Sequence, residues 1–495
     1  MIYLFLFAIV LLVVYVYVKT YHYEHYWKKK GIKMYKKNKI LGPFWDYLTG
    51  DRTMFLVFSD IYKKHSNELA VAFGPFFQHS LYVIDPRIAQ SVLQTEFHSF
   101  NHRGIEPFEG DILSDMVLFQ NGNKWKLVRQ HLTPIFTSAK LKNMYYIMDK
   151  SAQDFIKFLH EHPDKLQVNT YDSLSHFCAA AIGASVFGIT TKSVFDNPFH
   201  EVALKAVTPN FRTNVKFSLA NISTSLSKFF KIKLFSEFEH FFVSTLRQVM
   251  EQRKGDNTKR HDFVELCLSL QQNEFLIDRE TNFEVKPTTE LLAAQAFFFF
   301  LAGVEPSAST AFATLVELGR HPEHMKKVQC AIDAAFEEHN GELTYDIVNG
   351  VEELDRAMNE ALRMYPPISF LTRKCIKDTI LPVGNLEIKK GTKVYIPIFD
   401  YHHDPKYYSD PEVFNPDRFD PNVSFNKELF TPFGKGGRLC IGNRYAIIQV
   451  KTGLLYILRH FDVITHVGEG GIKYVKRQIQ LQIGNVDVEF VPRKL

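Results

Sequence analysis

Phe433-Gly434-Lys435-Gly436-Gly437-Arg438-Leu439-Cys440-Ile441-Gly442 is the stretch on which the reading of this chain turns. Three glycines precede a lone cysteine, so side chains cannot crowd the loop and backbone N–H groups can approach the sulfur. The apolar run Tyr445 to Leu458 follows at once and reads as a helix. Cys440 therefore stands near a helix N-terminus, where the dipole favours thiolate. With no second cysteine or histidine beside it, the loop does not suit tetrahedral zinc. It suits a single axial bond to a haem iron, because a thiolate pushes electron density onto the metal and favours O–O cleavage. Cys178, Cys267, Cys330 and Cys375 have no such surroundings and read as structural thiols.

Upstream, Pro287-Thr288-Thr289-Glu290 is a helix start, and Gly319 to Pro322 is a stop. The span between is about 33 residues, or roughly 50 Å of helix. Leu291 to Val304 is almost wholly apolar, yet too short and interrupted for a membrane span, so it predicts a buried core helix. Within it, Gly303 permits close approach of a flat ligand, and Glu305 is an acid that is costly to bury unless hydrogen-bonded. Glu360 and Arg363 stand three apart and share a helix face. Spacing alone makes them an exposed ion pair worth under about 1 kcal/mol.

The charge is concentrated at one end. Lys+Arg 59 against Asp+Glu 54 gives +5, but residues 19–39 hold eight lysines and residues 1–39 only one acid, Glu24. The remainder carries 51 basic and 53 acidic residues, so nothing favours a nucleic-acid-binding body. Met1 to Val18 is uncharged and apolar, about 27 Å long as a helix. Tyr15, Tyr17, Tyr21, Tyr23, Tyr26 and Trp27 form an aromatic belt behind it, and the lysines follow. A cleaved signal would want a basic residue before the run and small residues after it. The expectation is a transmembrane anchor over 1–18, a basic linker over 19–50 and a catalytic domain over 51–495 on the cytosolic side. Five cysteines in a reducing compartment are free thiols or metal ligands, not a disulfide framework. Periodicity predicts helices near 86–96, 122–135, 140–160, 171–187, 236–254, 288–320, 322–338, 351–364 and 440–459. Strand-like pieces are few: Leu69–Phe73, Leu81–Ile84, Lys393–Ile398 and Asp487–Val491. The fold class expected is mainly α with a small β-sheet subdomain.

Phe433, Gly436, Arg438, Cys440 and Gly442 together resemble the ligand loop of the haem-thiolate cytochrome P-450 family. Three further elements occur in family order. Asn359-Glu360-Ala361-Leu362-Arg363 resembles the family's Glu-x-x-Arg helix. Phe414-Asn415-Pro416-Asp417-Arg418-Phe419 resembles the segment whose arginine joins that pair. Trp125-Lys126-Leu127-Val128-Arg129 resembles the helix whose Trp and Arg meet a haem propionate. The likeness runs to about residue 490 and is closest to animal microsomal members of the arthropod, xenobiotic-metabolising kind.

The resemblance implies the cytochrome P-450 fold and roles by position. Cys440 would ligate the iron of haem b, with Phe433 and Gly436 shaping the loop. Arg438, Trp125, Arg129 and Arg373 would meet the propionates, as the arginine fork suits a carboxylate. Glu360, Arg363 and Arg418 would form a buried structural network. Ala302, Gly303 and Glu305 would stand on the oxygen side. There the chain departs from the family: Pro306 occupies the position of a threonine whose hydroxyl helps deliver protons. Ser307, or a water on Glu305, would replace that hydroxyl; otherwise proton delivery is impaired. A second departure is the linker, where only Pro43 stands for a Pro-rich hinge.

Phe298, one turn before Ala302, is the leading pocket residue, with Phe108, Phe119, Phe211, Ile368 and Phe370. An aromatic, apolar pocket implies an apolar substrate that partitions into membrane. No Gly-x-Gly-x-x-Gly run follows a strand, so electrons must come from a partner. The resemblance names it: NADPH-cytochrome P-450 reductase, with cytochrome b5 as a second donor. Lys124, Lys126, Lys435 and Lys451 are candidates to dock an acidic partner. The expected function is a monooxygenase of the endoplasmic reticulum membrane. The alternatives are a hydroperoxide isomerase or dehydratase that needs no reductase, and a haem protein that only binds an apolar ligand.

Overall fold

The computed structural model describes residues 2–35, 45, 52–74, 78–167, 169–188, 201–202, 205–206, 215–216, 224–256, 260–423, 426–476 and 480–494. Pro43 and Phe211 lie outside them. Helices of eleven residues or more are numbered in chain order: α1 Ile2–Lys29, α2 Met54–Lys64, α3 Gly122–Leu132, α4 Ser138–Glu161, α5 Thr170–Phe187, α6 Ser236–Arg253, α7 Thr289–Arg320, α8 Pro322–Glu338, α9 Glu352–Met364 and α10 Asn443–His460.

Local chemistry accounts for the ends of these helices. The Thr288 hydroxyl accepts the Leu291 N–H at 3.2 Å and starts α7. Glu352, Glu353 and Asp355 open α9 and Arg363 closes it, each sign matched to the helix dipole. α7 is buried along most of its length and packs against α5, α6, α9 and α10, so the longest apolar run becomes the spine of the core.

The largest sheet has five strands: β1 Lys33–Met34, β2 Ala70–Phe73, β3 Ser80–Val83, β4 Phe370–Lys374 and β5 Lys393–Pro397, in the order β1-β2-β3-β5-β4. β5 pairs antiparallel with β4 and parallel with β3, the latter joining residues over 300 positions apart. β2, β3 and β5 are buried throughout, as strands covered on both faces must be. A second antiparallel pair, Phe461–Val467 with Val486–Pro492, packs against α7.

Several expectations need correction. The helix expected over 86–96 is a short α-helix, Pro86–Gln90, that widens into a π-turn at Ser91–Thr95. The strand at 393 ends at Pro397, because the Ile398 and Phe399 amides turn aside to the Ser369 carbonyl. α1 runs as one helix from Ile2 to Lys29. The aromatic belt is also divided. Tyr3, Phe7 and Leu11 to Tyr15 are exposed, whereas Tyr23 and Trp27 are buried against the five-stranded sheet. His79 stacks on Tyr23 and packs at a tilt against Tyr26, and Lys30 reaches Glu387 at 2.6 Å. Among the described residues the helix long and apolar enough to cross a membrane is α7, and it is mostly buried in the core.

Candidate active site

The ligand loop is closed by its own backbone. The Cys440 amide donates to the Phe433 carbonyl at 3.0 Å, and the Leu439 amide to Gly436 at 2.9 Å. Gly436 has φ +72°, and a Cβ there would stand 1.9 Å from the Leu93 carbonyl oxygen. Only glycine allows the loop to sit this close on the π-turn. The Cys440 side chain is accessible by surface area yet enclosed by protein, which is the signature of a group facing an internal cavity. Burial pushes its thiol above the ordinary value; the Gly442 amide, Arg103 and Arg129 pull the other way and do not offset it. The stabilisation expected from the helix start is present but smaller than the cost of desolvation.

Four arginines converge around this loop. Arg438 Nε donates to Asn101 O at 2.9 Å and its Nη2 to Gln120 O at 3.0 Å. Its guanidinium lies 3.8 Å from the Trp125 ring centre. Arg129 Nη2 donates to Leu439 O at 2.6 Å, and Arg103 Nη2 to Arg438 O at 3.2 Å. Arg373 Nη1 reaches only its neighbour's carbonyl, Thr372 O, at 2.8 Å. No carboxylate among the described residues pairs with any of the four, and Arg103 Nε, Arg373 Nε and Arg438 Nη1 have no hydrogen-bond partner. Burial and then mutual repulsion pull Arg438 down to about 8 and Arg373 to about 9, and Arg103 falls to about 10. An uncompensated buried cluster of one sign is costly. It fits a ligand that carries two carboxylates, as haem does. Arg103 escaped the sequence reading, since Asn101-His102-Arg103-Gly104 shows neither periodicity nor a charge partner in sequence.

The opposite wall is α7. From Leu291 to Leu318 the helix is buried except at Phe298, Leu301, Ala302, Gly303 and Pro306. Accessible residues in mid-core mark a cavity, and Phe298, Ala302 and Pro306 recur every four residues along one face. Phe297, Phe299 and Phe300 point into the core: Phe297 meets Phe242 at 4.9 Å and Phe299 meets Phe136 at 5.1 Å. A Cβ on Gly303 would stand 2.7 Å from Ile182, so its missing side chain lets α5 approach. Glu305 is buried and accepts the Tyr171 hydroxyl at 2.6 Å; burial raises its carboxyl, and Tyr171 counteracts this. Tyr171 lies 134 positions away, and nothing in the sequence linked the two. The helix continues through Pro306 without a break. Ser307 is 2% exposed, its hydroxyl has no partner, and it lies off the accessible stripe. That placement does not let it stand in for a hydroxyl at 306.

Glu360 and Arg363 are not an exposed pair. Arg363 Nε and Nη2 donate to the two Glu360 oxygens at 2.8 and 2.9 Å, Arg418 Nε reaches Glu360 at 3.2 Å, and the Asn415 amide reaches it at 3.0 Å. Arg363 Nη1 also donates to His402 O at 2.8 Å, and His402 Nε2 accepts from the Thr431 amide, which leads to the ligand loop. Phe108 and Phe119 are buried in a small cluster with Met116 and Leu234 that Phe298 packs against. Ile368 is accessible, and Phe370 packs edge-on to Phe58 at 5.0 Å. The four lysines are all paired: Lys124 with Asp115, Lys126 with Glu280, Lys435 with Glu428 and Lys451 with Asp355. Lys451 is 0% exposed and cannot dock a partner.

An accessible enclosed thiol, four converging guanidiniums without a carboxylate partner, two of them buried, and a helix face open to a cavity define a thiolate-type haem protein. The comparisons agree with that class. The family description Cytochrome P450 matches residues 36–490, and the chain belongs to the cytochrome P450 family of haem-thiolate monooxygenases. It is 30% identical to Cytochrome P450 6B7 of Helicoverpa armigera over 95% of both chains. It is 32% identical to Probable cytochrome P450 6d4 of Drosophila melanogaster over 89% of both. It is 31% identical to Cytochrome P450 6j1 of Blattella germanica over 90% of this chain and 88% of that one. These relatives are insect proteins, as the arthropod resemblance implied. Membership brings a mainly helical fold with small sheets and a haem iron held by a cysteine thiolate.

Proposed function

We propose that this chain is a membrane-held monooxygenase that inserts one oxygen atom of dioxygen into a small apolar substrate, with electrons from NADPH through a reductase. The observation that carries it is the meeting of the accessible Cys440 thiol with four carboxylate-free arginines, of which Arg373 and Arg438 are buried. Cys440 would be the axial ligand; bonding to a metal deprotonates a thiol outright, which offsets the desolvation that otherwise keeps it protonated. Arg103, Arg129, Arg373 and Arg438, with Trp125, would hold the two propionates. Bound haem would supply dioxygen activation and oxygen transfer. The chain's own part is positional. Phe298, Ala302 and Pro306 would face the bound cofactor's pocket, and Ile368 and Phe370 stand after the Pro366-Pro367 break. These surfaces exclude water and orient an apolar molecule. Glu305 presents its carboxyl on the same turn, fixed in direction by the Tyr171 hydroxyl.

The exposed apolar face of α1, followed by lysines, supports an anchor in the endoplasmic reticulum membrane with the body on the cytosolic side. Xenobiotics, lipids and hormone-like molecules all fit an apolar pocket. NADPH-cytochrome P-450 reductase and cytochrome b5 are the partners that the family implies.

The test is the absorption spectrum of the reduced, carbon-monoxide-bound protein. A thiolate-type Soret band that is lost in Cys440→Ala supports the reading, and its absence from folded wild type overturns it. Pro306 favours a second reading, rearrangement of an apolar hydroperoxide, which needs no delivered proton. NADPH consumption with reductase, against hydroperoxide turnover without it, separates the two.

A further inference from the structure

The loop between Phe108 and Phe119 is tied down at two places. At its inner end Gln295, a fully buried residue of α7, accepts the Val117 amide at 2.7 Å and donates to Asp115 O at 2.9 Å. At its outer end the buried Asp111 carboxylate accepts the Leu234 amide at 2.6 Å and the Phe235 amide at 3.0 Å. Leu234 and Phe235 lead directly into α6, so the carboxylate caps that helix from another element. The tie is reciprocal: Glu239, in the first turn of α6, accepts the Ile112 amide at 2.8 Å. Three charge-assisted bonds thus join the loop to the start of α6.

What lies under this joint gives it a role. Phe108, Met116 and Phe119 from the loop and Leu234 from the segment before α6 form one apolar cluster, and Phe235 and Phe298 pack against it. Phe119 stacks on Phe235 with ring centres 6.2 Å apart. Phe298 also belongs to the accessible stripe of α7. The cluster is therefore a roof at the end of that stripe, and its two halves come from the two elements that Asp111 and Glu239 join. The inner tie is neutral and fully buried. The Glu239 bond is at the surface, where water can take its place, so the outer tie is the one that can open.

We propose that Asp111, with Glu239, is a positioning residue for substrate: a clasp that fixes the height of this aromatic roof and so sets how bulky an apolar molecule the cavity admits and how fast. The inference rests on the proposed function only in taking the cavity beside Cys440 as the substrate cavity. With the clasp closed, a small ligand passes under the roof and a bulky one must wait for the loop and the start of α6 to part.

The experiment uses the full-length holoenzyme and two nitrogen ligands of iron, imidazole and triphenylmethyl-imidazole, whose binding is followed by the Soret shift. In Asp111→Ala the association rate of the bulky ligand rises by about 10-fold or more, while that of imidazole stays within about twofold. Asp111→Asn, which keeps one acceptor oxygen, falls between, and Glu239→Gln changes less than Asp111→Ala. Equal rates in wild type and Asp111→Ala overturn the clasp, and so does a parallel rise for both ligands, which is general loosening. If Asp111→Ala does not fold, amide exchange in the wild type decides. The Ile112, Leu234 and Phe235 amides must open together and gain protection when the bulky ligand binds; independent opening refutes the proposal. Failure of the wild type to show any Soret shift would instead refute the haem reading.

Discussion

Glu360→Gln tests the most deeply buried charges in the molecule. Glu360 and Arg363 are 0% exposed at the side chain, and one Glu360 oxygen accepts from Arg363, Arg418 and the Asn415 amide together. The substitution keeps the shape and one acceptor but removes the negative charge between two guanidiniums. Breaking a buried pair in this way costs about 3–5 kcal/mol, because the remaining charges cannot return to water. An exposed pair would cost under about 1 kcal/mol. Unfolding entropy of about 2.1 cal/mol/K per residue, over the roughly 450 residues of the family match, makes about 1 kcal/mol per degree. The expected fall in Tm is therefore about 3–5 °C in scanning calorimetry of the holoenzyme. Haem retention should fall too, because Arg363 holds His402, and His402 holds the Thr431 amide ahead of the ligand loop. Arg363→Met on top of Glu360→Gln should cost less than the sum of the two single changes, since each removes the other's partner. A fall below 1 °C, or strict additivity, would refute a buried network.

Other outcomes follow from the same geometry. Arg103→Leu should speed haem loss to an apoprotein acceptor by about tenfold or more, the worth of a charge-assisted bond; an unchanged rate would remove Arg103 from the propionate set. Pro306→Thr should raise the share of NADPH electrons recovered in product rather than peroxide, and unchanged coupling would show that the proline is irrelevant. His402 and His403 are held at about 3, chiefly by burial, while an unfolded histidine binds its proton near 6.5. Their contribution is full above about pH 6.5 and is lost as the pH falls. Asp400, raised to about 6 by burial, works in the opposite sense below that pH. The net expectation is a loss of about 2 kcal/mol between pH 6.5 and 5, read from urea midpoints; a flat profile would contradict it.

The parts legible in the sequence were those in which one short stretch carries its own physical reason. The glycines around Cys440, the caps and apolar run of α7, and the i, i+3 spacing of Glu360 and Arg363 are local. What was missed depends on contacts across the chain. β4 reads Phe-Leu-Thr-Arg-Lys, which announces no strand; it becomes one because β5 offers it an edge. Arg103 is an ordinary arginine until Arg129, Arg373 and Arg438 are folded around it. Tyr171 gains its meaning from Glu305, and Asp111 from two amides more than 120 positions away. That Gly303 lets α5 approach is hidden too, because the sequence gives a glycine's place on a helix but not what faces it.

Pro306 shows how far local rules and the site can be reconciled. A proline inside a helix loses a hydrogen bond and crowds the preceding turn, at about 3 kcal/mol or more. The acceptor it frees is the carbonyl of Ala302, and Ala302 lies on the accessible stripe of α7, where a water or ligand can bond it. At any of the neighbouring buried positions the same carbonyl would have been stranded, so this is a turn of the helix that tolerates the residue best. The cost in function runs the other way. Ser307 is buried off the stripe, and the Glu305 carboxyl is turned to Tyr171. On the proposed monooxygenase reading, a proton would come through water between the Ala302 carbonyl and Glu305, and the Tyr171 hydroxyl that orients the acid would belong to the same device.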